Sequence, residues 1–169
     1  MREIRVKQIF SIFAAGVMMA TVPAGAQASA KDEVMKVEQG IAAVSNAEQL
    51  EPYYAPDIAL YDMIVPGEFH GWKAVHADFA AQFAAVKNPK VEIINIEAWA
   101  QGKVGFAYST QKFSFDLPNN GQHTEVVFRQ TDFLKKIKGK WLVVHQHISV
   151  PYDPATGKAQ LTPTAGKSP

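Results

Sequence analysis

Between residues 31 and 50 the apolar side chains Val34, Val37, Ile41 and Val44 recur at three- and four-residue steps. That spacing gathers them into one stripe and predicts an amphipathic helix. Gly40 interrupts the stripe, and glycine weakens a helix interior. Ser45 with Glu48 three residues on has the form of a capping box, so a second short helix is expected until Pro52 ends or bends it. Residues 53–57, Tyr-Tyr-Ala-Pro-Asp, read as a turn. A short strand follows over 58–64, broken by Val65-Pro66-Gly67. In 72–87 Val75, Phe79, Phe83 and Val86 again fall on one side of a helix, which Asn88-Pro89 stops.

The period then changes. Runs 91–100, 103–117, 124–136 and 141–150 alternate or are rich in β-formers, and predict four strands. The breaks between them are Gln101-Gly102, the Pro-Asn-Asn-Gly of 118–121 and Lys138-Gly139. Breaks this short make hairpins, hence an antiparallel meander. Helices followed by a meander predict an α+β fold: a curved antiparallel sheet with helices packed on one face, enclosing a cone-shaped pocket.

The two ends read differently. Arg2, Arg5 and Lys7 precede an uncharged apolar run from 9 to 22, then Pro23 and the small residues Ala24, Ala26, Ala28 and Ala30. This is the layout of a secretory signal peptide over 1–28, with cleavage fitting after Ala26, Ala28 or Ala30, and it predicts a periplasmic or secreted protein. The domain itself is expected over 31–151. From 152 to 169 the chain is rich in Pro, Gly, Thr and Lys, which predicts a disordered tail. The whole chain carries a formal charge of +1. Losing three basic residues and Glu3 with the signal leaves −1, which gives no electrostatic case for nucleic acid. The absence of cysteine excludes disulfides, thiolate metal sites and cysteine nucleophiles.

Several polar residues sit where chemistry needs them. His145, His147 and Ser149 are two apart on a predicted strand and share a face with Trp141 and Val143. Leu142, Val144, Ile148 and Val150 form the other face, and either face suits the pocket. A core histidine donating to a backbone carbonyl is the alternative. Two such histidines with Asp62 would also make a two-His, one-carboxylate metal set, although the reading adopted has neither metal nor cofactor. Arg129 is mid-strand beside Val127 and Thr131, and a buried Arg needs a carboxylate, from Asp62, Asp132 or a ligand. Tyr54, Tyr61 and Tyr108 are candidate phenol donors to a pocket. Trp72 joins Phe79 and Phe83 in a core stripe and is also a candidate binding residue.

The segments Tyr54-Ala55-x-Asp57, Tyr61-Asp62, Gly71, Arg129-x-Thr131, Gly139-Lys140-Trp141 and Val144-His145-Gln146-His147-Ile148-Ser149 resemble the SnoaL-like, ketosteroid-isomerase-like domains of the nuclear-transport-factor-2-like superfamily, which share the cystatin-like fold. The resemblance runs over about residues 34–151. It implies that Asp62 falls where the ketosteroid isomerases hold their aspartate base. Their oxyanion-hole tyrosine has no counterpart near Glu38, and their protonated aspartate falls near Arg129 or Gln130.

Three functions are therefore expected to compete. One is an isomerase- or dehydratase-type acid/base enzyme acting on a hydrophobic carbonyl compound through Asp62, His147 and Arg129 in one shared cavity. The second is a non-catalytic periplasmic domain for a small hydrophobic or carboxylate-bearing ligand, contacted by Tyr54, Tyr61, Trp72, Tyr108, His145 and Ser149. The third is an interaction module, dimeric through the outer sheet face. A homodimer is expected in each case, because strand 91–100 is apolar on both faces.

Overall fold

The computed structural model describes residues 28–162; the signal peptide expected over 1–28 lies almost wholly outside them. Helix α1 spans Ala30–Ala42. Ser29 caps it, its Oγ accepting from Asp32 N at 3.2 Å while Asp32 Oδ2 accepts from Ser29 N at 3.1 Å. Both ends of the first turn are thereby satisfied. The glycine at 40 has a packing reason: a Cβ there would overlap the ring of Tyr53. A 3-10 helix follows over Ala47–Tyr53, with Pro52 inside it. Its cap is Asn46, which accepts from Gln49 N at 3.1 Å, while Gln49 Oε1 accepts from Ser45 N. The capping interaction is thus offset by one residue from the Ser45–Glu48 pairing read from the sequence.

Strands β1 (Tyr54–Tyr61) and β2 (Phe69–His70) precede helix α2 (Trp72–Ala84). Strands β3 (Lys87–Gln101), β4 (Val104–Asp116), β5 (His123–Ile137) and β6 (Lys140–Ser149) form the expected meander. The β5–β6 connection is Lys138-Gly139, both with positive φ (49° and 85°), as a two-residue hairpin turn requires. The sheet runs β2-β1-β6-β5-β4-β3. It is mixed rather than purely antiparallel, because β1 pairs with β6 in parallel. Where a disordered tail was expected from 152, a small hairpin forms from β7 (Tyr152–Asp153) and β8 (Lys158–Ala159). Leu161 O then accepts from Val127 N at 2.6 Å, on the stretch of β5 that precedes the first β5–β6 pair at Arg129. Residues 163–169 lie outside the described residues.

Both helices pack on the concave face. Val34, Ile58, Leu60, Val75, Leu134 and Val143 are fully buried between the layers, and each such side chain contributes about 2 kcal/mol. Glu33 of α1 fastens the helix to the sheet by accepting from Trp141 Nε1 at 2.7 Å and from Lys136 Nζ.

One irregularity decides which side chains face inward. Phe133 pairs with His145, but Leu134 pairs with Val143, so Val144 is an extra residue on β6. Such a β-bulge reverses the facing of everything beyond it. Trp141 and Val143 point inward before the bulge, and Gln146 and Ile148 after it; all four are buried.

A carboxylate-lined cavity on the concave face

A cavity of about 100 Å³ lies between the end of α1, α2 and the concave face of the sheet. Ile41 and Ala42 close it from α1, and Phe79, Gln82 and Phe83 from α2. The sheet contributes alternate residues: Gln111 and Phe113 of β4, Phe128 and Gln130 of β5, Gln146 and Ile148 of β6. Tyr54 begins β1, and Asp62 and Met63 follow its end; all three reach the same space. Volumes of several hundred Å³ are usual for drug-sized ligands, so this cavity fits a smaller one. Met63, Gln82 and Phe113 also line an adjoining groove of about 420 Å³, which Asp78 and the C-terminal Leu161 help to form.

The polar groups around the cavity form two sets. In the first, Tyr54 donates its hydroxyl hydrogen to Gln146 Oε1 at 3.1 Å, and Gln130 Nε2 donates to Asp132 Oδ2 at 2.6 Å. Asp132 is fully buried, and Glu38 of α1 is only 1 % exposed. Burial, and then the charge of Asp132, pushes the Glu38 carboxyl up to about 11. Burial also raises Asp132, to about 6, the rise being tempered by hydrogen bonds from Glu38, Gln130 and Gln146. At neutral pH the pair therefore holds one proton between its two carboxyls. Glu38 Oε1 and Asp132 Oδ1 are buried without another partner, and a proton held between the two carboxyls lowers the cost of burying them.

The second set surrounds Asp62. Its Oδ2 accepts from Ile64 N and from Gln82 Nε2, each at 3.2 Å. Its Oδ1 is buried without a partner. Gln82 Nε2 also donates to Asp78 Oδ2 at 2.8 Å, tying the two carboxylates together. The Asp78 carboxyl is raised by its burial and then by the charge of Asp62.

The cavity expected to unite Asp62, His147 and Arg129 does not form. Asp62 lines it, whereas His147 and Arg129 are exposed on the opposite, outer face of the sheet. The bulge at Val144 accounts for His147. Arg129 follows from plain alternation, since Val126, Phe128, Gln130, Asp132 and Leu134 are the buried positions of β5. Ser149 pairs directly with Arg129 and so shares its side. Tyr61 packs edge-on against His145 (centroids 4.9 Å apart) and against His147 (5.9 Å), and Tyr108 is 53 % exposed on the same outer side. Of the expected binding residues only Tyr54 lines the cavity. Trp72 stands behind it, stacked on its ring at 5.4 Å. The two-His, one-carboxylate set is split across the sheet, and among the described residues no group of three or more His, Asp or Glu side chains could hold a metal ion. Sequence reasoning missed Glu38, Gln82, Gln111, Gln130, Asp132 and Gln146. The apolar residues that share a parity with Gln130 and Asp132 in β5 were the available signal.

A helix-covered curved sheet with a cavity on its concave face defines the nuclear-transport-factor-2-like class. The chain belongs to the SnoaL-like domain family, whose model matches residues 37–153. No curated protein matches it. Among solved structures it is similar to a nuclear-transport-factor-2-like protein of unknown function from Pseudomonas putida KT2440. That match has 22 % identity and a TM-score of 0.68, covering 80 % of this chain and 96 % of the other. An uncharacterised protein with a cystatin-like fold from Caulobacter vibrioides aligns at 19 % identity and TM-score 0.61, over 74 % and 91 % of the two chains. A nuclear-transport-factor-2-like protein from Streptomyces avermitilis, whose assignment as a dehydratase is itself provisional, aligns at 12 % identity and TM-score 0.62, over 70 % and 93 %. At these identities the likeness shows the fold.

Proposed function

We propose that this chain is an exported, homodimeric SnoaL-like protein that holds a small, largely apolar molecule in the concave cavity. The cavity is the observation that carries the reading. Its wall is mostly aliphatic and aromatic, with a few polar groups held at fixed positions, the composition expected of a small-molecule site. Export rests on the signal-peptide layout of residues 1–28. The dimer rests on the outer face, where Trp99, Phe106, Phe133 and His145 are successive cross-strand neighbours. Trp99 and Phe133 are 44 % and 47 % exposed, an apolar patch that a second copy would cover.

Acid/base catalysis of the isomerase or dehydratase type on a hydrophobic carbonyl compound is the second reading. Asp62 favours it, as a carboxylate that lines the cavity and has one oxygen without a partner. Against it, the one phenol at the cavity already donates to Gln146, which leaves a developing oxyanion without that donor. A carboxylate-bearing ligand loses its expected partner in this cavity, because Arg129 faces outward.

Amide NMR of the labelled mature domain, titrated with small apolar compounds, tests the cavity. Shifts are expected at Gln111, Phe128 and Gln146. Shifts confined to the outer face around His145 and Tyr108 would refute the reading.

A further inference from the structure

We infer that the cavity takes a small organic ammonium, with the Asp62 carboxylate accepting an N–H of the charged head and the apolar body lying among the aromatic side chains. This rests on the cavity reading above and names its ligand class. Among the described residues the cavity and the adjoining groove are lined by two charged residues, Asp62 and Asp78, and by no Lys or Arg. Both are acidic, and both lean on one neutral donor, Gln82 Nε2. A carboxylate against an apolar wall is costly unless a cation or donors meet it, and here one oxygen of Asp62 has neither.

The amides point the same way. Gln130 Nε2 is directed to Asp132, Gln82 Nε2 to the two aspartates, and Gln111 Nε2 to Ser109 Oγ at 2.8 Å. Gln82 gives both of its donors to the aspartates, and Gln130 and Gln111 give one each to the protein's own network. The carboxylates of this wall and the carbonyl oxygens of its amides match a head group made of N–H donors. Phe79 and Phe83 add ring faces that attract a cation as well as cover an alkyl chain.

Three ligands of one chain length separate the possibilities: n-butylammonium, n-butanol and butyrate, each titrated at pH 7 against the mature protein and followed by amide NMR. We expect n-butylammonium to bind about tenfold or more tighter than the alcohol, as a charge-assisted hydrogen bond requires, and butyrate to bind weakest. Asp62→Asn should reduce the ammonium to the level of the alcohol, and Glu97→Gln, which removes an exposed carboxylate outside the cavity, should preserve the preference. If neither variant folds, the wild-type ratio alone decides. Equal binding of all three, or a preference for butyrate, overturns the ammonium inference and leaves the cavity reading standing. No shift at the cavity residues with any of the three overturns both.

Discussion

Replacing Glu38 by Gln tests the buried acid pair through the pH dependence of stability. The Glu38 carboxyl stands at about 11 in the folded protein against 4.5 when unfolded. A raised carboxyl stabilises the fold fully below the unfolded value and loses that contribution as pH climbs toward the folded one. Asp132, raised from 3.8 to about 6, acts in the same direction but is largely titrated by pH 7. Between pH 7 and pH 9 the folded chain therefore holds one more proton at Glu38 than the unfolded chain does. One proton corresponds to about 1.4 kcal/mol per pH unit, hence about 3 kcal/mol across the window. Glutamine is neutral throughout and offers Asp132 an N–H in place of the shared proton. We expect the stability of Glu38→Gln relative to the wild type to rise by about 3 kcal/mol between pH 7 and pH 9. The assay is guanidinium unfolding followed by the fluorescence of Trp72, Trp99 and Trp141 at each pH, compared as the difference between the two proteins. Parallel curves would mean that Glu38 stays ionised in the folded protein, and the shared-proton account would be wrong.

Other consequences are simpler to read. Phe133→Glu places a charge in the centre of the outer aromatic row and should convert a dimer into a monomer in sedimentation velocity; a wild type that is itself monomeric at every accessible concentration refutes the dimer. Tyr54→Phe deletes the hydroxyl that serves Gln146 and should cost about 1 kcal/mol in denaturant unfolding, with no change meaning that the bond is not formed in solution. Material recovered from the periplasm should begin between Gln27 and Lys31 on N-terminal sequencing, and an N-terminus at Met1 would rule out cleavage.

How much of this was legible in the chain depends on how local the determining contacts are. The stripe Val75, Phe79, Phe83 placed α2 within three residues of its observed end, because helix periodicity is written in consecutive turns. The parallel β1–β6 pairing joins segments some ninety residues apart, and no local pattern encodes which strand edge a segment will meet. The buried glutamines and acids were hidden for another reason. Gln130, Asp132, Gln146 and Glu38 carry surface-type side chains, and only their mutual hydrogen bonds make burial tolerable. Their composition argues for solvent, whereas their parity argues for the core.

Strand β6 shows how that conflict could have been resolved. Trp141 and Val143 share one parity and Ile148 the other, so an unbroken strand must expose one apolar group to solvent. Choosing the first group for the pocket carries His145 and His147 inward with it, which is the shared site that the structure contradicts. A single inserted residue between Val143 and Gln146 satisfies both groups at once, and Val144 is that residue. Two well-formed apolar half-patterns out of phase within one strand are therefore the sequence signature of a bulge. The functional consequence follows from the same residue. By reversing the facing of Gln146, it brings an amide to the buried Asp132 and Tyr54 and sends the imidazoles to the outer face, so the carboxylates of the cavity are left without a histidine partner.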